Sequence, residues 1–169
     1  ADKKIRMTRK LFDLAGIGSD RLHLAWVSSA EAQRFVEVVN AVTESIKAQG
    51  KFDPQQYTLQ LTAVENTLSG EPIRWLVGKE VRITTKGDVY GRRWDQDSFE
   101  KILDAALERE YHKNLVLQAI KDGCAAPRDI SGRTGLALKQ TSYLLADLEK
   151  TGMVEFKKME ACKPVFAAR

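Results

Sequence analysis

Apolar residues recur at helical spacing along most of the chain, and the few places where that period breaks define its parts. Ile5, Thr8, Phe12 and Ala15 fall on one face of a basic helix predicted over 3–15, which Gly16-Ile17-Gly18 ends. Leu22 to Val27 breaks the period, and a short, mostly apolar run of this kind predicts a largely buried strand. Ser28 and Glu31 stand three apart, as a capping box requires at a helix start. Ala32, Phe35, Val36, Val39, Val42 and Ile46 then return to helical spacing up to Gly50. Helix, strand, helix is a piece of an α/β layer. A lone strand makes no sheet, so its neighbours are expected from outside this segment.

Asp53-Pro54-Gln55-Gln56 is a second helix start, with aspartate as cap and proline at the first position. Tyr57, Leu61, Val64 and Leu68 make the expected buried stripe before Gly70, and Glu71-Pro72 opens a short helix through Val77. Glu80 to Thr84 and Val89 to Arg92 flank Lys86-Gly87-Asp88 and predict a β-hairpin. Asp95-Gln96-Asp97 starts a helix with Phe99, Ile102, Leu103, Ala106 and Leu107 inside. Another helix is expected through Leu115, Ala119 and Ile120 to Gly123.

From Ala126-Pro127 the pattern is sharper. Asp129 to Leu136 and Lys139 to Val154 read as two short helices joined by a tight turn, the second stopping at Gly152. A partly basic ribbon follows: Glu155-Phe156-Lys157-Lys158, then Lys163-Pro164-Val165-Phe166. This order resembles a winged helix-turn-helix module. Thr141, Leu145 and Leu148 are expected on the inner face of the second helix, with Lys139, Gln140, Ser142, Tyr143 and Ala146 outward. The expected fold class is an α/β N-terminal fragment, an α-helical linker and a C-terminal winged helix (α+β), mainly α overall. Its parts span 1–52, 53–109 (with the hairpin) and 110–169.

A charged content of 30% and a net charge of +4 suit an ordinary globular surface as well as a nucleic-acid partner. No apolar run approaches the roughly 18 residues of a membrane span, and no secretory signal is visible, so a cytoplasmic location without membrane contact is expected. The start at Ala1, in mid-pattern and without an initiator methionine, is that expected of a fragment. Cys124 and Cys162 are too few and too far apart for a metal-ligand or disulfide framework, and two buried reduced thiols are expected. His23 and His112 are equally isolated, so no metal site is expected and no catalytic constellation stands out.

The stretch Thr8-Arg9-Lys10-Leu11-Phe12-Asp13-Leu14-Ala15-Gly16-Ile17-Gly18-Ser19-Asp20-Arg21-Leu22 continues into Leu24-Ala25-Trp26-Val27-Ser28-Ser29-Ala30-Glu31 and Arg34-Phe35-Val36-Glu37-Val38-Val39-Asn40. Over roughly residues 1–50 this resembles the C-terminal part of the delta, iron–sulfur subunit of methyl-viologen-reducing hydrogenases. Similar domains are fused to the A-type subunits of heterodisulfide reductases. The resemblance implies electron relay between a hydrogenase or formate dehydrogenase and a heterodisulfide reductase-like flavoprotein, through a [2Fe–2S] cluster held by cysteines. Those cysteines lie mostly upstream of the matching part. This chain has none at the corresponding places, so no cluster ligand is carried over and no cofactor is expected on it.

Two functions are therefore expected to compete. The first is an accessory electron-transfer and docking component of a hydrogenase–heterodisulfide reductase-type complex. The alternative is a DNA-binding regulator that uses the C-terminal module. There, Lys139, Gln140, Ser142 and Tyr143 would contact DNA or a partner protein, with Lys157, Lys158 and Lys163 on the wing. Leu144, Ala146 and Asp147 suit a protein contact better than a phosphate-lined groove. From Glu110 to Arg169 ten Lys and Arg stand against seven Asp and Glu, which decides little. Trp26 is expected in a core beside the Ser28–Glu31 cap rather than at an anion site. Lys3, Lys4, Arg6, Arg9 and Lys10 form either a solvated helix face or a patch for an acidic partner. Gly87-Asp88 with Arg92 and Arg93 is expected to be a turn, since no phosphate-loop pattern surrounds it.

Overall fold

The computed structural model describes residues 2–87 and 89–169; Asp88, the last residue of the expected hairpin turn, lies outside the described residues. The described residues form seven α-helices and one antiparallel pair of strands, so the chain is mainly helical. They divide into two compact units, Ala1–Thr58 and Leu59–Arg169.

In the first unit, α1 (Asp2–Leu14) ends at Gly16, and a 3₁₀ turn (Ser19–Arg21) leads into extended backbone. Residues 22–28 belong to no sheet, which corrects the expected buried strand. An extended segment becomes a strand only when another strand satisfies its N–H and C=O groups. The only sheet among the described residues pairs two C-terminal strands with each other. Trp26 is 68% exposed, so it is not the core residue expected. The expected N-terminal α/β layer is thus two helices joined by a 3₁₀ turn and a segment outside any sheet.

The second helix of this unit, α2, spans Ala32–Gln49. Half of the anticipated capping box forms: the Glu31 carboxylate accepts from the Ser28 N–H at 2.8 Å, while the helix begins three residues later than a Ser28 cap predicts. The carbonyls at its far end are satisfied by Arg21, whose guanidinium donates to Gln49 O at 3.1 Å and Gly50 O at 3.4 Å. A cation at a helix C-terminus also offsets the negative end of its dipole. Gln49 Nε2 returns a bond to Asp20 O at 2.9 Å, and Arg9 Nε donates to Leu22 O at 2.7 Å. Beyond α2, Asp53 caps a 3₁₀ turn (Pro54–Tyr57), as its sequence predicts, by accepting from the Gln55 N–H.

The second unit begins with α3 (Thr58–Ser69) and α4 (Glu71–Val81). Leu59, Ala63, Val64 and Thr67 are the buried positions of α3; of the expected stripe Val64 is buried, while Tyr57, Leu61 and Leu68 are half-buried. Where the sequence predicts the first strand of the hairpin, α4 runs on into a π-helical turn, Arg82–Lys86. The threonines that favour a strand in isolation bond backward here: Thr84 donates to Glu80 O and Thr85 to Val81 O, prolonging the helical ladder.

The two helices expected between Asp95 and Gly123 are one, α5 (Gln96–Lys121), capped by Asp95 accepting from the Ser98 N–H at 2.8 Å. It buries Phe99, Leu107, Tyr111, Leu115, Val116 and Ile120, although Ile102, expected inside, is exposed. Against it pack α6 (Pro127–Thr134), α7 (Leu138–Lys150) and the second strand of an antiparallel hairpin, β1 (Val154–Glu160) with β2 (Lys163–Ala168). Ile130, Thr141, Leu145, Leu148 and Val154 complete this core, with Thr141, Leu145 and Leu148 inward as the sequence predicts. After α7, Gly152 adopts φ 73°, a left-handed conformation that lets the chain leave the helix without a Cβ clash.

Burial pushes the Tyr111 phenol up to about 12. Unfolded Tyr111 releases its proton near 10, whereas the folded residue keeps it until about 12. Stability is therefore expected to be unaffected by this group below pH ~10 and to fall as pH rises from ~10 to ~12. Urea midpoints measured across that window should show the decline, and Tyr111→Phe should flatten it.

The hairpin turn carries a second measurable consequence. Ala161 and Cys162 occupy φ 46° and 63°, positions that two-residue turns usually fill with Asn and Gly. Replacing them together, Ala161→Asn with Cys162→Gly, should raise stability by about 1–2 kcal/mol, read as a higher denaturant midpoint at unchanged slope. Cys162 is exposed and Cys124 half-buried, so the expected pair of buried thiols is not found.

Candidate functional site

The sequence-predicted residues of the C-terminal surface separate into three groups. On α7, Lys139 and Tyr143 stand outward together, with the Lys139 Nζ 6.0 Å from the Tyr143 ring centroid and Tyr143 68% exposed. Ser142 is exposed, and its hydroxyl donates to Leu138 O within the helix. Gln140 differs: it is half-buried, and its amide Nε2 lies 3.0 Å from Nδ1 of His112 on α5. Burial lowers the His112 pKa and so favours the neutral ring, whose Nδ1 accepts the amide proton. Gln140 thus joins helices rather than facing a partner.

The hairpin lysines are largely neutralised locally. Lys157 pairs with Glu155, and Lys158 with Glu160; Glu155 also accepts from Arg169 at 3.2 Å. Lys157 and Arg169 beside it hold the Glu155 carboxyl below its ordinary range. Lys163 is exposed at the start of β2. Leu144 is buried, whereas Ala146 is exposed. Asp147 meets Arg109 of α5 at 2.9 Å and Lys113 at 3.8 Å, and the Arg109 hydrogen bond holds its carboxyl below the usual range. The aspartate that argued against a phosphate partner is therefore an α5–α7 tie.

A different surface, in the N-terminal unit, is apolar and exposed. No residue of α2 is buried. Phe35, Val39 and Ile46, four and seven residues apart, lie on one face with exposures of 59%, 44% and 43%, and Val36 adjoins them. A stripe of this kind normally faces a core or a partner. The residues were legible as an apolar helix face; that the face is uncovered was not. Beside it in sequence, residues 22–28 lie outside any helix or sheet, with Trp26 exposed. Nε2 of His23 is a buried side-chain atom left without a partner. Arg9, one of the five basic residues of the N-terminal cluster, is engaged with Leu22 O, and Lys3, Arg6 and Lys10 also have interaction partners.

A [2Fe–2S] cluster takes four protein ligands, normally cysteine thiolates. Cys124 and Cys162 are the chain's two cysteines, and no group of three or more His, Cys, Asp and Glu among the described residues is placed to hold a metal. The residues present do not fit such a cluster.

Among the described residues no helix is long and apolar enough to cross a membrane. No solved structure matches the chain. Residues 1–50 match the family model described as methyl-viologen-reducing hydrogenase, delta subunit. The chain is 38% identical over 50 residues to the D-type iron-sulfur subunit of the F420-non-reducing hydrogenase vhu of Methanocaldococcus jannaschii, covering 30% of this chain and 37% of that protein. Its namesake from Methanococcus voltae is 37% identical over 49 residues, covering 29% and 37%. The matched segment thus spans little more than a third of either relative, and it contains α1, the 3₁₀ turn, the extended segment and α2. The likeness to the hydrogenase delta subunit is a property of residues 1–50, the segment that carries the uncovered α2 face.

Proposed function

We propose that this protein is an accessory docking component of a hydrogenase-type redox complex, serving electron transfer between subunits that carry the redox centres. The observation that carries this reading is the coincidence of the family match with an uncovered apolar surface in the same fifty residues. A segment that resembles an electron-transfer subunit but lacks cluster ligands contributes by binding. The α2 stripe supplies the apolar area for that contact. Its partners are hydrogenase or formate dehydrogenase subunits and a heterodisulfide reductase-like flavoprotein, in the cytoplasm.

The order α5, α6, α7, β1, β2 supports a winged helix-turn-helix in the second unit. Its role, on this reading, is a protein contact. Lys157 and Lys158 are already paired with Glu155 and Glu160, and Gln140 is bonded to His112, so four of the seven candidate contacts remain: Lys139, Ser142, Tyr143 and Lys163.

Anaerobic affinity purification from native cells, with bound proteins and nucleic acid both identified, tests the proposal. Hydrogenase or heterodisulfide reductase-like subunits are expected in stoichiometric yield. A defined DNA segment without redox proteins would instead establish the regulator alternative. That alternative makes its own demand: affinity for the DNA must fall steeply with salt, and Lys139→Ala with Gln140→Ala must weaken it. If the module docks protein, titration of the purified chain with the recovered or random duplex DNA shows no sequence-specific binding.

A further inference from the structure

The sequence 75–94 builds a feature that docking through α2 does not use. Trp75, Lys79, Arg82 and Ile83 recur along one side of α4 and the π-helical turn that prolongs it. Gly87 then takes φ 81°, and a Cβ there would lie 2.8 Å from Arg92 O, so the returning chain passes against its backbone. The return brings the Trp94 N–H to Ile83 O at 3.3 Å. The base of this feature is pinned where buried Glu80 accepts from Gln96 Nε2 at 2.9 Å. The result is an open cavity of about 740 Å³ whose walls include both indoles and the cationic side chains of Lys79, Arg82 and Arg92.

Three observations bear on what this cavity accepts. Trp75 and Trp94 remain 55% and 46% exposed, so two large aromatic faces stand in water at one site. The described lining residues include the cations Lys79, Arg82 and Arg92. The volume lies within the roughly 300–1,000 Å³ of small-molecule sites. Single π-helical turns inside α-helices also recur at functional sites. Indole faces attract planar aromatic rings, and neighbouring guanidinium and ammonium groups attract phosphate.

We infer that the Trp75–Trp94 cavity is a binding site for a nucleoside phosphate, with the base on the indole faces and the phosphates on Lys79 and Arg82. Arg92 stacks over the Tyr90 ring at 5.1 Å. The site lies wholly within the second unit and needs no residue of α2 or of the 22–28 segment.

The test is a titration of the 169-residue chain with ADP, followed by tryptophan fluorescence and calorimetry, beside adenosine alone and inorganic phosphate alone. Saturable one-site quenching by ADP is expected, with each half-ligand at least about tenfold weaker. Trp94→Leu and Lys79→Ala should each weaken ADP binding about tenfold, while Arg133→Ala, at an exposed position outside the cavity, leaves it unchanged. Both altered side chains line an open cavity, and far-UV circular dichroism confirms that the variants fold. No saturable binding of ADP overturns the inference. So does binding that both folded variants retain, or adenosine binding as tightly as ADP. A single-stranded oligonucleotide that binds far more tightly than ADP and displaces it would overturn it too, in favour of a nucleic-acid strand.

Discussion

Phe35→Asp combined with Val39→Asp is expected to abolish association with the hydrogenase-type partner while leaving the chain as stable as the parent. The two effects separate because these side chains are 59% and 44% exposed in the chain by itself. Neither is buried in the folded chain, so the change in stability from the two substitutions should stay within about 1 kcal/mol. In the complex each would be removed from water. Full burial of a Phe or Val side chain contributes roughly 1.5–3 kcal/mol, and about half of each remains to be buried, so losing both weakens association by a factor on the order of 10 at the low end. Burying carboxylates in their place adds a further penalty. Surface plasmon resonance against the purified partner, with urea unfolding of the same samples, measures both quantities. A variant that unfolds would mean α2 packs within the chain, and one that binds normally would mean the interface lies elsewhere.

Leu148→Ala should do the opposite. Leu148 is fully buried on α7 in the second unit. Truncation there removes transfer free energy and leaves a cavity that the close-packed helices and hairpin fill only partly, a loss of about 2–5 kcal/mol. For a unit of this size the melting temperature should fall by roughly 10–20 °C. Binding through α2 should survive at temperatures where the variant stays folded, because Leu148 and the α2 stripe belong to different units. Thermal scans followed by circular dichroism read the first part, and a melting temperature unchanged from the parent would show that α7 is not held by this core.

The C-terminal helices were legible because their signals are local. Pro127 at a helix start, Gly152 beyond a helix end and the inward spacing of Thr141, Leu145 and Leu148 each follow from backbone geometry within a few residues. The segment 22–28 has strand-like composition, but a strand is a relation between two segments, and composition cannot supply the second. Residues 80–85 differ for another reason: Thr84 and Thr85 have strand propensity yet bond back along α4, so continuation of an existing helix outweighs a weak local preference. At α5 no Gly or Pro lies between Asp95 and Asp122, so nothing stops the helix where two were expected. The candidate contacts of the second unit fall on α7 and the hairpin, as the sequence predicts. Their pairing with Glu155, Glu160 and His112 depends on neighbours that spacing along one helix or strand does not reveal.

The proposed docking function falls in the first unit. The hydrogenase-like likeness ends where α2 ends, and the most exposed apolar helix face of that unit lies inside it. Cross-linking mass spectrometry on the complex purified anaerobically from native cells tests this most directly, since Lys47 and Lys51 follow the stripe and Lys10 precedes the extended segment. Cross-links from these lysines to hydrogenase or heterodisulfide reductase-like subunits are the predicted result. Partner cross-links confined to residues 110–169, or a purified protein that carries no redox partner, would contradict docking through α2.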